Sequence, residues 1–142
     1  MNNLNYASLE ASKKLHDAGI ILKTDYVWAG IYGTTVSLEN QKWVLIPKST
    51  HNVQIPAACF AEVWRELPAD IFIERKRYRL NMWKVDNELR CCYVSQDASF
   101  ATTPICNENP TDALIDLLIW VKEQNRERIV KKLIDHADKL KW

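Results

Sequence analysis

Only three glycines occur in the 142 residues, and none belongs to a glycine-rich phosphate loop. A backbone cradle of the kind that opens nucleotide-binding helices is therefore excluded. No apolar run approaches the roughly 18 residues that a membrane-spanning helix needs. The chain starts Met1-Asn2-Asn3-Leu4 and passes straight into a polar helical pattern, without the apolar core of a secretory leader. The four cysteines, Cys59, Cys91, Cys92 and Cys106, show no C-x-x-C spacing. Cys91 and Cys92 are adjacent in an extended segment, so their thiols point to opposite faces and one zinc ion does not readily take both. The expectation is of reduced thiols that pack as small hydrophobes in the cytoplasm of a bacterial host cell, with no metal and no cofactor.

Net charge is nearly absent too, at +1, so no global field draws the chain toward nucleic acid or an anionic membrane. The charge is unevenly placed. Residues 74–90 carry six basic groups against Glu74, Asp86 and Glu88, and residues 126–142 again carry six against three. Between them, residues 97–123 hold Asp97, Glu108, Asp112, Asp116 and Glu123 against Lys122 alone. What is plentiful is apolar and aromatic surface: 47% hydrophobic residues, with six Trp, five Tyr and three Phe. That composition builds one packed core in a chain of this length.

Local signals outline the elements. Ser8 caps a helix to Ala18 with Ala11, Leu15 and Ala18 on its apolar side, and Gly19 suits a left-handed C-cap closed by Ile20. Tyr26–Tyr32 and Lys42–Ile46 read as strands, with a turn at Gly33 and a stop at Pro47. A polar loop then leads to Pro56, which suits the first turn of a helix. Phe60, Val63, Trp64 and Leu67 form that helix's stripe, and Pro68 ends it. Ile71–Ile73 is a strand. Tyr78–Val85 and Leu89–Val94 form a hairpin through the two-residue loop Asp86-Asn87. Its register sets Met82 opposite Cys91 and Leu80 opposite Tyr93. Tyr78, Leu80, Met82, Leu89, Cys91 and Tyr93 then face the core, and Arg77, Arg79, Asn81, Trp83, Arg90 and Cys92 face solvent or a partner.

After a loop containing Pro104, Asn109-Pro110-Thr111-Asp112 is a strong helix start: a cap, a proline at the first position and an acid at the third. Ala113–Val121 is apolar except for Asp116, as in a helix buried on most sides. A further stripe of Val130, Leu133, Ile134, Ala137 and Leu140 emerges rotated by more than a quarter turn. A break near Gln124-Asn125 removes the mismatch, and one long bent helix is the alternative. The order α-β-β-α-β-β-β-α-α predicts an α+β fold: a mostly antiparallel sheet of four to five strands with helices on one face. No linker divides residues 1–142, and 126–142 reads as an appended amphipathic helix.

Three stretches together carry a resemblance. Ser8-Leu9-Glu10-Ala11-Ser12-Lys13-Lys14-Leu15 with Ala18-Gly19-Ile20 is similar to the opening helix of many small phage and prophage proteins. Ile55-Pro56-Ala57-Ala58 with Phe60-Ala61-Glu62 and Leu67-Pro68 resembles their middle helix, and Asn109–Leu114 through Leu118-Ile119-Trp120 resembles the helix near their C-terminus. The Tyr78-Leu80-Met82 strand matches in style. The resemblance covers most of residues 8–124, leaves Arg126–Trp142 outside, and implies no activity or catalytic residue.

The candidate sites are few. Arg77, Arg79, Trp83 and Arg90, with Arg75 and Lys76 nearby, place an aromatic among arginines on one sheet face. Trp83 and Arg90 lie opposite each other at cation–π distance, an arrangement that could stack bases or simply form a solvated face. Asp112 and Asp116, at i and i+4, could act as an acid–base pair or as ordinary helix-start acids. Any of the thiols could meet His51 as a nucleophile–base pair, without a recognisable signature around it. The basic amphipathic tail suits a membrane surface, a partner, or the completion of the core. The reading that follows is a non-catalytic protein acting on an unidentified protein partner or by self-association. A nucleic-acid-associated role through the Arg77/Arg79/Trp83/Arg90 face is the alternative, and a cysteine-dependent enzyme is the third.

Overall fold

The computed structural model describes residues 5–31, 42–48 and 54–139. The predicted turn at Gly33, His51, and Leu140 of the tail stripe lie outside the described residues.

The first helix, α1 (Leu9–Asp17), is closed at both ends by its own sequence. Ser8 Oγ accepts the Ala11 amide at 3.1 Å. Gly19 takes φ +74°, and the Gly19 and Ile20 amides return to the His16 and Leu15 carbonyls, the paired bonds of a left-handed helix stop. A three-stranded antiparallel sheet follows, in the order β2-β1-β3, built from β1 (Tyr26–Ile31), β2 (Lys42–Pro47) and β3 (Gln54–Ala57). Here Pro56 departs from expectation. It lies in β3 opposite Val27 rather than in a helix, on an edge strand, where a residue without an amide is tolerated. The second helix, α2 (Phe60–Glu66), begins four residues later. Glu62 Oε1 accepts the Cys59 amide at 2.8 Å, half of a capping box.

The second sheet is an antiparallel meander, β4 (Asp70–Ile73), β5 (Lys76–Val85), β6 (Glu88–Ser95) and β7 (Ile105–Asn107), in that order. The expected hairpin holds residue for residue: Met82 faces Cys91, Leu80 faces Tyr93 and Trp83 faces Arg90, with Asp86 at φ +52° in the loop. The fold class is therefore the expected α+β, with helices packed against antiparallel sheets. The expected single sheet of four to five strands is instead two: among the described residues β1, β2 and β3 pair with one another, and β4 to β7 pair in a separate sheet.

The third helix, α3 (Pro110–Lys139), is unbroken over 30 residues. The expected break at Gln124-Asn125 does not occur, since no glycine or proline lies between Thr111 and Lys139 to stop the ladder. Its first half covers the inner face of β6 and β7. Leu114, Ile115, Leu117 and Leu118 are fully or almost fully buried with Cys91, Tyr93, Val63 and Leu15. Tyr93 Oη donates to the Pro68 carbonyl at 2.7 Å, and its ring stacks near Trp120.

Leu118 is 0% exposed at the centre of this core. Leu118→Ala should destabilise the protein by about 2–5 kcal/mol. A shift of the denaturant midpoint checks this, and an unchanged midpoint would mean the helix is not part of the core.

Candidate functional site

The hairpin register does bring Arg77, Arg79, Trp83 and Arg90 to one face, the outer face of the four-stranded sheet. A residue from β4 changes what that face can do. Asp70 lies opposite Arg79 and accepts from Arg77 Nη2 at 2.7 Å and from Arg79 Nε at 3.4 Å. The hydrogen bond from Arg77 holds the Asp70 carboxyl below the usual carboxylate range. Two of the four candidate side chains thus share one counter-ion. A cleft of about 270 Å³ opens beside them over Asn81, Val94 and Gln96.

Trp83 and Arg90 are opposed, yet the expected cation–π contact is not formed. The described rings that carry a cation are Trp43, under Lys13 at 5.3 Å, and Phe100, under Lys76 at 4.1 Å. Arg90 Nη2 lies 4.0 Å from Glu88 Oε2, while its Nε is buried without a hydrogen-bond partner. Cys92, expected at solvent on this face, is buried, a short side chain on an inner strand flanked by β5 and β7.

The cysteines are all free. Cys91 Sγ lies 3.8 Å from the Ile105 carbonyl and 3.7 Å from that of Ala113, and burial pushes its thiol up to about 12. Burial also raises Cys92 and Cys59, the opposite of what a thiolate nucleophile requires. Cys106 is exposed on β7. Among the described residues, no group of three or more His, Cys, Asp or Glu side chains could hold a metal ion.

The acids at the start of α3 fasten the fold. Asn109 Oδ1 caps the Thr111 and Asp112 amides at 3.0 and 3.3 Å. Asp112, buried, accepts the Ser8 amide at 2.8 Å. One turn on, Asp116 lies 3.9 Å from Lys14 Nζ of α1, and burial raises its carboxyl despite the lysine. Both carboxylates share a helix face, as the i, i+4 spacing requires, and both tie α1 to α3.

The distal half of α3 holds an apolar stripe for which the sequence left a membrane surface, a partner or the core open, and a polar row that it missed. Every described side chain from Arg126 to Lys139 is exposed. Ile129, Val130, Leu133 and Ile134 are 60, 48, 63 and 55% exposed. At about 100° per residue their stripe lies roughly 140° round the helix from Leu114, Leu117, Leu118 and Val121. The azimuth of the core face is instead continued by Gln124, Arg128, Lys131, Lys132 and Asp135, which line a groove of about 580 Å³ against β4. Arg128 Nη1 donates across it to the Phe72 carbonyl at 2.7 Å. Helical spacing alone could have separated the two rows. The position of β4 beneath the polar one was not readable, because it rests on a Glu74-Arg75 turn with φ +50° and +67° and no glycine or asparagine to announce it.

No protein-family model, no curated protein and no solved structure matches the chain.

Two outcomes follow from this geometry. A raised folded-state pKa means that Asp116 is held more readily protonated, so its charge opposes folding above that pKa and has no effect below the unfolded value near 3.8. Asp116→Asn should therefore stabilise the protein at neutral pH, with the gain vanishing below about pH 3.8, in paired melts across pH. An equal gain at both ends of the range would exclude the carboxylate as its source. On the sheet face, with Arg77 and Arg79 committed to Asp70, labelled single-stranded DNA and RNA should show no saturable anisotropy change at physiological salt. Salt-sensitive binding that Trp83→Ala weakens about tenfold would make this face a nucleic-acid surface.

Proposed function

We propose that the chain is a small non-catalytic protein, of the kind that phages and prophages encode, and that it works by contacting another protein or a second copy of itself. The observation that carries this reading is the outer stripe of α3. Ile129, Val130, Leu133 and Ile134 stand side by side, each about half or more exposed, on the side of the helix turned away from the core. At those exposures they present on the order of 400 Å² of apolar surface, within the range at which a contiguous patch is often functional. Burying a side chain of this size stabilises by roughly 1.5–3 kcal/mol, so a partner that covers all four gains several times that amount. A helical segment of this length is also marginal without tertiary packing, and a partner would supply it.

The non-catalytic part of the reading draws on Cys59, Cys91 and Cys92, whose burial favours the protonated thiol, and on acids that serve as helix ties. The phage or prophage part draws on the sequence resemblance of residues 8–124. The nucleic-acid alternative has less support, since Asp70 engages two of its three arginines. The cysteine-dependent alternative has less still, since only Cys106 is exposed.

The test is made at Leu133. A photo-reactive benzoylphenylalanine placed there and irradiated in the source cells should give a discrete adduct, with another protein or with a second copy. The adduct should disappear when Ile129 and Ile134 are changed to Asn. Leu133→Asn/Ile134→Asn should leave the melting temperature within about 2 °C, since substitutions away from a core change stability by about 0.5 kcal/mol or less. A monomeric, adduct-free protein would overturn the proposal, and so would a double variant that unfolds.

A further inference from the structure

Among the described residues, the four-stranded sheet ends in an edge that no strand covers, and β4 pairs only with β5. The bond from the Leu80 amide to the Ala69 carbonyl, 2.9 Å, settles which of its backbone groups point where. Ladder bonds in an antiparallel pair come from alternate residues, so Ala69, Ile71 and Ile73 turn their amides and carbonyls toward β5. Asp70 and Phe72 turn theirs outward. One outward group is taken, the Phe72 carbonyl that accepts from Arg128.

Across from this edge runs the polar row of α3, and the groove of about 580 Å³ lies between them. Its two walls run in the same direction. Trp120 is drawn to Pro68 through Tyr93 at one end, and Arg128 reaches Phe72 further along. The helix wall, Val121 to Asp135, advances about 21 Å and outruns the strand wall, since β4 (Asp70–Ile73) spans about 10 Å before the Glu74-Arg75 turn. A slot bounded by an open strand edge and a parallel helix admits one extended chain. It does not admit a second sheet, because the helix blocks the approach.

We propose that this groove takes an extended acidic segment of a partner protein as a fifth strand beside β4. The Asp70 amide and carbonyl and the Phe72 amide supply the ladder, the mode in which main-chain bonds give affinity and side chains give selectivity. Charge selects the acid. Arg75, Arg128, Lys131 and Lys132 line the groove against Glu74 and Asp135, while the Asp70 carboxylate is already held by Arg77 and Arg79. A second copy of the chain is disfavoured, since pairing two β4 edges would oppose two identical basic rows. In the free protein Arg128 shields the edge, as natural sheets shield theirs. On binding, the Phe72 carbonyl passes to a peptide amide and the guanidinium turns to a peptide carboxylate, a stronger partner. This site lies across the helix from the outer stripe and does not depend on it.

The experiment is fluorescence anisotropy on the full chain with a labelled hexapeptide of alternating Glu and Val. The comparison peptides are one of alternating Lys and Val and two N-methylated forms, one methylated on the Val amides and one on the Glu amides. Saturable binding is expected, at least tenfold tighter than for the lysine peptide, and at least tenfold weaker to Lys131→Glu/Lys132→Glu checked for fold by circular dichroism. One of the two N-methylated peptides should lose binding and the other keep it, because only one alternating set of amides faces β4. Amide shifts should centre on Asp70 and Phe72. The Leu133→Asn/Ile134→Asn variant should bind the peptide unchanged, which separates failure here from failure of the outer stripe. Equal binding of both N-methylated forms would mean charge attraction alone and overturn the proposal. So would shifts centred on the sheet face, a preference for single-stranded DNA of equal charge, or no saturable binding.

Discussion

The first turn of α3 is the joint on which the rest of the molecule depends. Three of the four residues Asn109-Pro110-Thr111-Asp112 reach back about a hundred residues to hold the N-terminal segment. Asn109 Nδ2 donates to the Tyr6 carbonyl and Thr111 Oγ1 to that of Asn5, both at 3.1 Å, and Asp112 accepts the Ser8 amide. The same segment bonds outward as well. The Ala7 amide reaches the Ala58 carbonyl at 2.8 Å, and the Ala7 carbonyl accepts Trp28 Nε1 at 3.0 Å. Residues 5–8 thus link α3, the approach to α2 and the three-stranded sheet. Thr111 is 0% exposed, so its hydroxyl meets no water in place of the Asn5 carbonyl, and the bond is its means of satisfying a buried donor. Asp112 is favoured where it stands because the helix N-terminus offers a positive dipole end to a carboxylate that has little water.

From that joint α3 runs through two environments with one uninterrupted ladder. Up to Val121 it is clad by β6, β7, α1 and α2. Beyond it the core ends, while the helix continues. The residues that keep the core azimuth become polar and look across a groove at β4, and the apolar residues move to the far side. A break would have let the second stripe rejoin the core. The helix instead carries its two rows to two different surfaces.

Electrostatics at β4 follow a related logic. Asp70 draws Arg77 and Arg79 across the outer sheet face, so the basic cluster of the hairpin is partly neutralised by its own edge strand. Arg128 caps the one outward carbonyl within reach from α3. Surface ion pairs of this kind contribute little to stability. Their consequence is positional: they decide which arginines are committed and which basic groups, Arg75, Lys131 and Lys132, are left facing the groove.

Several parts of this arrangement were legible in the amino-acid order because their causes are local. Ser8 and Gly19 bound α1, Asn109-Pro110 starts α3, and the Asp86-Asn87 loop with period-two alternation determined the β5–β6 register to the residue. What needed the tertiary structure were features whose causes lie far along the chain. Pro56 became a strand residue because β1 offered it an edge. Glu74 and Arg75 accept positive φ because β4 must turn back onto β5. Cys92 is buried because β6 is an inner strand, which no local pattern states. The outer stripe of α3 was visible as a periodicity, but its exposure was not: apolar spacing reports which residues share a face, and only the packed fold decides whether anything covers it.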